Sequence, residues 1–141
     1  MSESSTSYLH LRPEVELPAL VLPRPFRAVL VLESRVGSAW QACVSRWLVD
    51  AGCLYALAVG AECSSWDDSI DEANIEKFEF GDIPPNQFVM TTWHDDEPLS
   101  EVFWFAKENA NHPAEELQAT VLLHISAVPR EAELLASYAA A

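Results

Sequence analysis

The chain is poor in positive charge. Its 141 residues carry 8 Lys and Arg against 22 Asp and Glu, a formal net charge of −14 with a pI near 4.4. So acidic a surface repels phosphate backbones and anionic lipid, so neither a nucleic-acid partner nor a membrane is expected. Cysteine is scarce as well. Cys43, Cys53 and Cys63 are odd in number and form no CxxC pair. That argues against a disulfide framework or a structural zinc site and fits a reducing, cytoplasmic compartment. Long hydrophobic runs are missing, none approaching the ~18 residues of a membrane helix. The opening stretch, MSESSTSY, has no basic segment followed by an apolar one, so no secretory signal is expected.

What is present is enough apolar material for a core: 50% of residues are apolar and 21% charged. This length and composition predict one domain. Residues 1–7 read as a polar, disordered tail. Residues 8–26 hold Pro13, Pro18, Pro23 and Pro25 between apolar pairs and read as an extended arm. The domain proper is expected over 27–141. Four apolar runs, Arg27–Glu33, Leu54–Gly60, Gln87–Trp93 and Ala119–Ile125, read as strands buried on both faces. Helical spacing of Trp40, Cys43, Val44, Trp47 and Leu48 predicts a helix over about 39–51, with Ser38 and Gln41 as a capping box and Gly52 as its stop. Further helices are expected after Pro98 and after Pro129. Residues 62–85 read as an acidic, irregular connection, with one helical turn near 68–76. A connection that long is often functional.

Strands alternating with helices predict an α/β fold: a small three-layer Rossmann-like sandwich of four mostly parallel strands, in the order 2-1-3-4, with helices on both faces. In such sheets the ligand crevice lies beyond the carboxyl ends of the strands, beside the point where strand order reverses. Glu33, Cys63, Trp66, Asp67, Asp68, Trp93, His94, Asp95 and Asp96 are expected at that edge, with Asp71 close behind. His124 ends the fourth strand and reads as a hydrogen-bonded core histidine. His10 and His112 read as exposed loop residues.

Three chemistries suit this edge. Segment 62–101 holds 12 acids and one base, so 11 of the 14 net negative charges lie in 40 residues, interleaved with Trp66 and Trp93. Tryptophan anchors with an acidic rim suit capture of a basic protein by electrostatic steering, and this is the leading expectation, with no cofactor: Trp66, Asp67, Asp68, Asp71, Trp93, Asp95 and Asp96 as the binding surface. A divalent-metal enzyme is the second, with Glu33, Asp67, His94 and Asp96 as ligands for Mg²⁺ or Mn²⁺ at a substrate phosphate. A cysteine nucleophile is the third, with Cys63 served by His94 or His124 and Asp95 orienting the base, although dense acids raise a thiol pKa.

The position of Glu33 after the first strand, Gly60 after the second and His94-Asp95-Asp96 after the third resembles the layout of the Toprim domain, which has Asp-x-Asp at the last place. That likeness implies a metal-dependent hydrolase or phosphotransfer enzyme. The general plan is similar to barstar-type immunity proteins, small acidic α/β inhibitors of a basic ribonuclease, which implies an inhibitor or accessory subunit. Taken as runs, CSSWDDSID, FVMTTWHDDEPLSEVFWFAK and TVLLHI resemble an uncharacterised family of small bacterial proteins, a domain of unknown function. This last likeness spans about residues 27–126 and implies no functional residue.

Overall fold

A computed structural model describes residues 5–141. In chain order the elements are β1 Ser5–Leu11, β2 Phe26–Leu32, α1 Ser38–Ala51, β3 Cys53–Gly60, α2 Cys63–Lys77, β4 Met90–His94, α3 Leu99–Glu108, β5 Ala119–Ile125 and α4 Glu131–Ala140, with a short 3₁₀ turn at Pro85–Gln87. All strand pairs are parallel, in the order β1-β5-β2-β3-β4. The α/β class is as expected, but there are five strands, not four. The four expected strands run 4-1-2-3 in their own numbering, not 2-1-3-4.

The fifth strand comes from the segment read as tail and arm. Residues 1–4 of that tail lie outside the described residues. Ser5–Leu11 pairs in register with β5, from Ser5 opposite Ala119 to Leu11 opposite Ile125. Its Ser/Thr-rich start hid it, because an edge strand needs only one buried flank to be held. A parallel return from β1 to β2 needs a crossover of a dozen or more residues. The proline-rich segment 12–25 supplies it without a helix. It is tied down by the indoles of Trp40 and Trp47, which donate to the carbonyls of Val15 and Pro18 at 2.8 Å each. A boundary at 26/27 therefore separates nothing, since both sides of it contribute to one sheet.

Strand alternation sorts the core into two layers. Ala28, Leu30, Leu32, Ala56, Ala58, Val121 and Leu123 face α1 and α2. Val29, Val31, Leu57, Val59 and Leu122 face α3 and α4. Val29, Val31, Leu57, Val59, Val89, Val121 and Leu123, all from the four runs expected to be buried strands, are buried. Arg27 is buried too. Its guanidinium donates to the Ala110 carbonyl and to Thr120 Oγ1, and burial pushes its pKa down.

Helix ends follow local chemistry. Gly52 takes φ +107° and closes α1, as expected of a left-handed stop. The N-cap of α1 is Gly37 rather than a Ser38–Gln41 box. The Gly37 N–H is taken by the Glu14 carboxylate at 2.8 Å, and Gln41 turns instead to Ser65. Cys43 is exposed rather than on the buried stripe, and Cys53 is buried with its thiol pushed up to about 12 by burial, which makes it inert. On α3, Trp104 is exposed, while Phe105 packs edge-on to His94.

Candidate functional site at the acidic edge

The connection 62–85, expected to be irregular, forms the 15-residue helix α2. Cys63, Trp66, Ile70, Ala73 and Asn74 recur at helical spacing and are its buried residues. The acids crowding the other positions masked that period. Trp66 is the main casualty of the expectation. It is 1% exposed and packs T-shaped against Trp40 at 6.5 Å, so it belongs to the core and is no interface anchor. Cys63 is buried in the same layer.

On the opposite flank of α2 the acids meet. Asp67, Asp68 and Asp71 each bring a carboxylate oxygen within 4.8 Å of the others. Asp67 Oδ1 is buried without a hydrogen-bond partner. Asp71 accepts a hydrogen bond from the Thr91 hydroxyl of β4 at 2.8 Å. Burial, and then repulsion by Asp71, lift Asp67 above the ordinary carboxylate range. Burial also lifts Asp71, with the Thr91 bond pulling the other way and Asp68 adding repulsion.

The strand beside α2 is β4, the end of the sheet, with no strand on its outer side among the described residues. Thr91 and Trp93 pair with Ala56 and Ala58 and so face α2. Trp93 is 50% exposed. Asp95 and Asp96 follow at the carboxyl edge, both exposed, with Asp96 in the left-handed region at φ 58°. A carboxylate side chain can bond its own turn, which makes Asp a tolerable choice there.

His94 points to the other face. Its Nδ1–H donates to Glu97 at 3.0 Å, its Nε2 accepts from Thr92 at 2.9 Å, and it is 6% exposed. Cys63 lies in the α1–α2 layer, whereas His94 and His124 lie on the α3–α4 face. A Cys63–His94 or Cys63–His124 pair with Asp95 as orienter is thus not assembled, because strand parity sends the partners to opposite sides of the sheet. The expected metal set fails likewise. Glu33 and His94 are engaged elsewhere, and of that set only Asp67 joins the acid cluster. Gly60, matched above to the Toprim glycine, has a backbone reason. A Cβ there would lie 2.2 Å from the Leu32 carbonyl oxygen.

Strand order also moves the reversal point. An order of 2-1-3-4 places it between β2 and β4, whereas here it lies between β2 and β5. Tyr8, Glu33, His124 and Arg130 meet there. The Nε2–H of buried His124 donates to Glu33 at 2.5 Å, and its Nδ1 accepts from Tyr8 at 2.7 Å. Tyr8 in turn accepts from the Arg130 N–H, and the Arg130 guanidinium closes the ring on Glu33 and Glu133. His10 donates to the Ser126 carbonyl at 2.9 Å, so it is no idle loop residue. His112 is also pinned, to the Phe88 carbonyl at 2.7 Å. The β2–β5 crevice is filled by the chain's own groups, and the N-terminus of α1, where a phosphate sits in many α/β sheets, holds Glu14. The one available sequence signal for this ring was an ionisable residue, His124, inside an otherwise apolar strand.

No helix among the described residues is long and apolar enough to cross a membrane. The chain matches the family described as a domain of unknown function, DUF7684, over residues 6–141, and it belongs to that family. No curated protein and no solved structure gives a significant match.

Proposed function

We propose that this family member is a small, acidic, cytoplasmic interaction module that receives a basic protein partner on the flank formed by α2 and β4, as an inhibitor or accessory subunit would. The observation that carries the reading is the Asp67–Asp68–Asp71 cluster held against an open edge strand bearing a half-exposed Trp93. Gathering three carboxylates this closely costs folding stability, and such costs concentrate where a surface has a task. A basic partner relieves the repulsion. Unpaired β4 backbone offers main-chain hydrogen bonds to an extended segment, and Trp93 offers an aromatic anchor beside them. With Trp66 in the core, Trp93 alone takes the anchor role; Asp95 and Asp96 extend the acidic rim.

The test is binding of an extended peptide of alternating Lys and Val, with a Glu/Val peptide as control, by surface-immobilised kinetics at low and physiological salt. Association should fall steeply with salt, because exposed charges are screened beyond a Debye length of roughly 8 Å. Replacing Asp67, Asp68, Asp95 and Asp96 by Asn should slow association, and Trp93→Ala should speed dissociation. Equal binding of the acidic peptide, or undiminished association of the fourfold variant at low salt, defeats the reading.

A second reading, a Mg²⁺- or Mn²⁺-dependent hydrolase or phosphotransfer enzyme, draws on one observation: the three carboxylates offer hard oxygen ligands within reach of one ion. Calorimetric titration with either metal, repeated on Asp67→Asn, decides it. Binding that the variant abolishes favours the enzyme.

A further inference from the structure

We infer that the cavity between α2 and the start of β4 is a recognition pocket for one basic side chain, a lysine or arginine whose aliphatic stem lies on its apolar walls and whose charged head meets Asp71. This rests on the reading of the α2–β4 flank as the docking site of a basic partner, and it names what that partner must insert.

The cavity measures about 380 Å³, in the range of small-ligand pockets, roughly 300–1,000 Å³. Ile75, Ile83, Phe88 and Met90 supply apolar walls, and Asp71 and Thr91 supply the polar end. Ile75 and Phe88 are 40% and 47% exposed, so the mouth opens to solvent. The remaining lining residue, Asn74, is buried and engaged with the chain itself. Its amide donates to the Gln87 carbonyl at 3.1 Å and accepts from the Val89 N–H at 2.9 Å.

Those bonds build the pocket. Asn74 grips the chain on both sides of Phe88, and His112 takes the Phe88 carbonyl between them. The wall is held in place before anything binds, which lowers the ordering cost of binding. Asp71 accepts one hydrogen bond, from Thr91, and a carboxylate has further acceptor capacity. Asp67 and Asp68 stand within 4.8 Å of it and deepen the negative field. An apolar ligand would leave that charge unanswered and an anion would be repelled. A bare ion has no use for four apolar walls. A cation on a hydrocarbon stem satisfies both parts of the cavity, as Lys and Arg side chains do when they bury their methylenes and keep the head polar.

The experiment is an amide chemical-shift titration of the full chain with hexylammonium, against hexanoate, methylammonium and Mg²⁺. Hexylammonium should give saturable shifts at Asn74, Ile75, Phe88 and Met90. Asp71→Asn, which keeps an acceptor for Thr91, should weaken it by about tenfold or more, with the rest of the spectrum unchanged. Ile83→Ala should weaken hexylammonium and leave methylammonium unaffected. Three results overturn the inference: hexanoate binding as well as hexylammonium, methylammonium binding as well, or Mg²⁺ producing the same shifts at the same concentration. The alternating Lys/Val peptide separates the two levels. Peptide binding without any hexylammonium binding removes the pocket and leaves the docking flank standing, whereas silence from both removes both.

Discussion

Asp67→Asn should make the protein more stable, although it deletes a charge from an acidic helix. Two unit charges 4.8 Å apart repel by about 0.9 kcal/mol in water, and Asp67 faces two such neighbours. Screening over a Debye length of about 8 Å roughly halves that repulsion at physiological salt, leaving a gain of about 1 kcal/mol at neutral pH. Removing charge from a buried oxygen that has no hydrogen-bond partner acts in the same direction. The pH dependence has a definite sign. The folded pKa of Asp67 is raised, so the folded state holds this proton more readily than the unfolded chain does. Its penalty is therefore absent below the ordinary value of 3.8 and grows as pH rises through the folded pKa. The gap between variant and parent should be small in acid, open through the mildly acidic range and level off at neutrality. Urea unfolding across that range, at low and high salt, reads it directly. A loss of stability at neutral pH, or a gain indifferent to both pH and salt, refutes the argument. The same variant should bind the basic peptide more weakly, so stability and binding move in opposite directions.

Other outcomes follow from the same contacts. Trp66→Ala should cost about 3–5 kcal/mol by urea unfolding, whereas Trp93→Ala should change stability by no more than about 0.5 kcal/mol while shortening the lifetime of a peptide complex. Tyr8→Phe removes the short bond to His124 Nδ1 and the acceptor of the Arg130 N–H and should cost about 1–3 kcal/mol, with faster amide exchange along β1 as a second readout. Gly60→Ala drives a Cβ to within 2.2 Å of the Leu32 carbonyl oxygen and should cost at least about 2 kcal/mol, or prevent folding altogether.

Local chemistry written in the chain determined most of the elements. The runs RAVLVLE, LYALAVG and ATVLLHI are apolar enough on both faces to be central parallel strands whatever surrounds them, and β2, β3 and β5 lie there within a residue or two. The start of α1 near Ser38 and its stop at Gly52 were legible for the same reason. Acid clustering in 62–101 was legible as composition, since charge needs no fold to be counted. Three things were decided by tertiary structure alone. The segment Ser5–Leu11 is too polar to declare itself a strand, and becomes one because β5 presents an unpaired edge to it. Strand order is set by how crossovers pack on the two faces, which no single segment encodes, and it placed the reversal point at Glu33 and His124 instead of beside β4. The third is the inward or outward sense of each acidic-region aromatic. Trp66 and Trp93 stand in similar acidic company, yet one side of α2 must cover α1 and takes Trp66 with it. Trp93 sits on the last strand of the sheet, with no further strand beside it among the described residues, and stays half exposed.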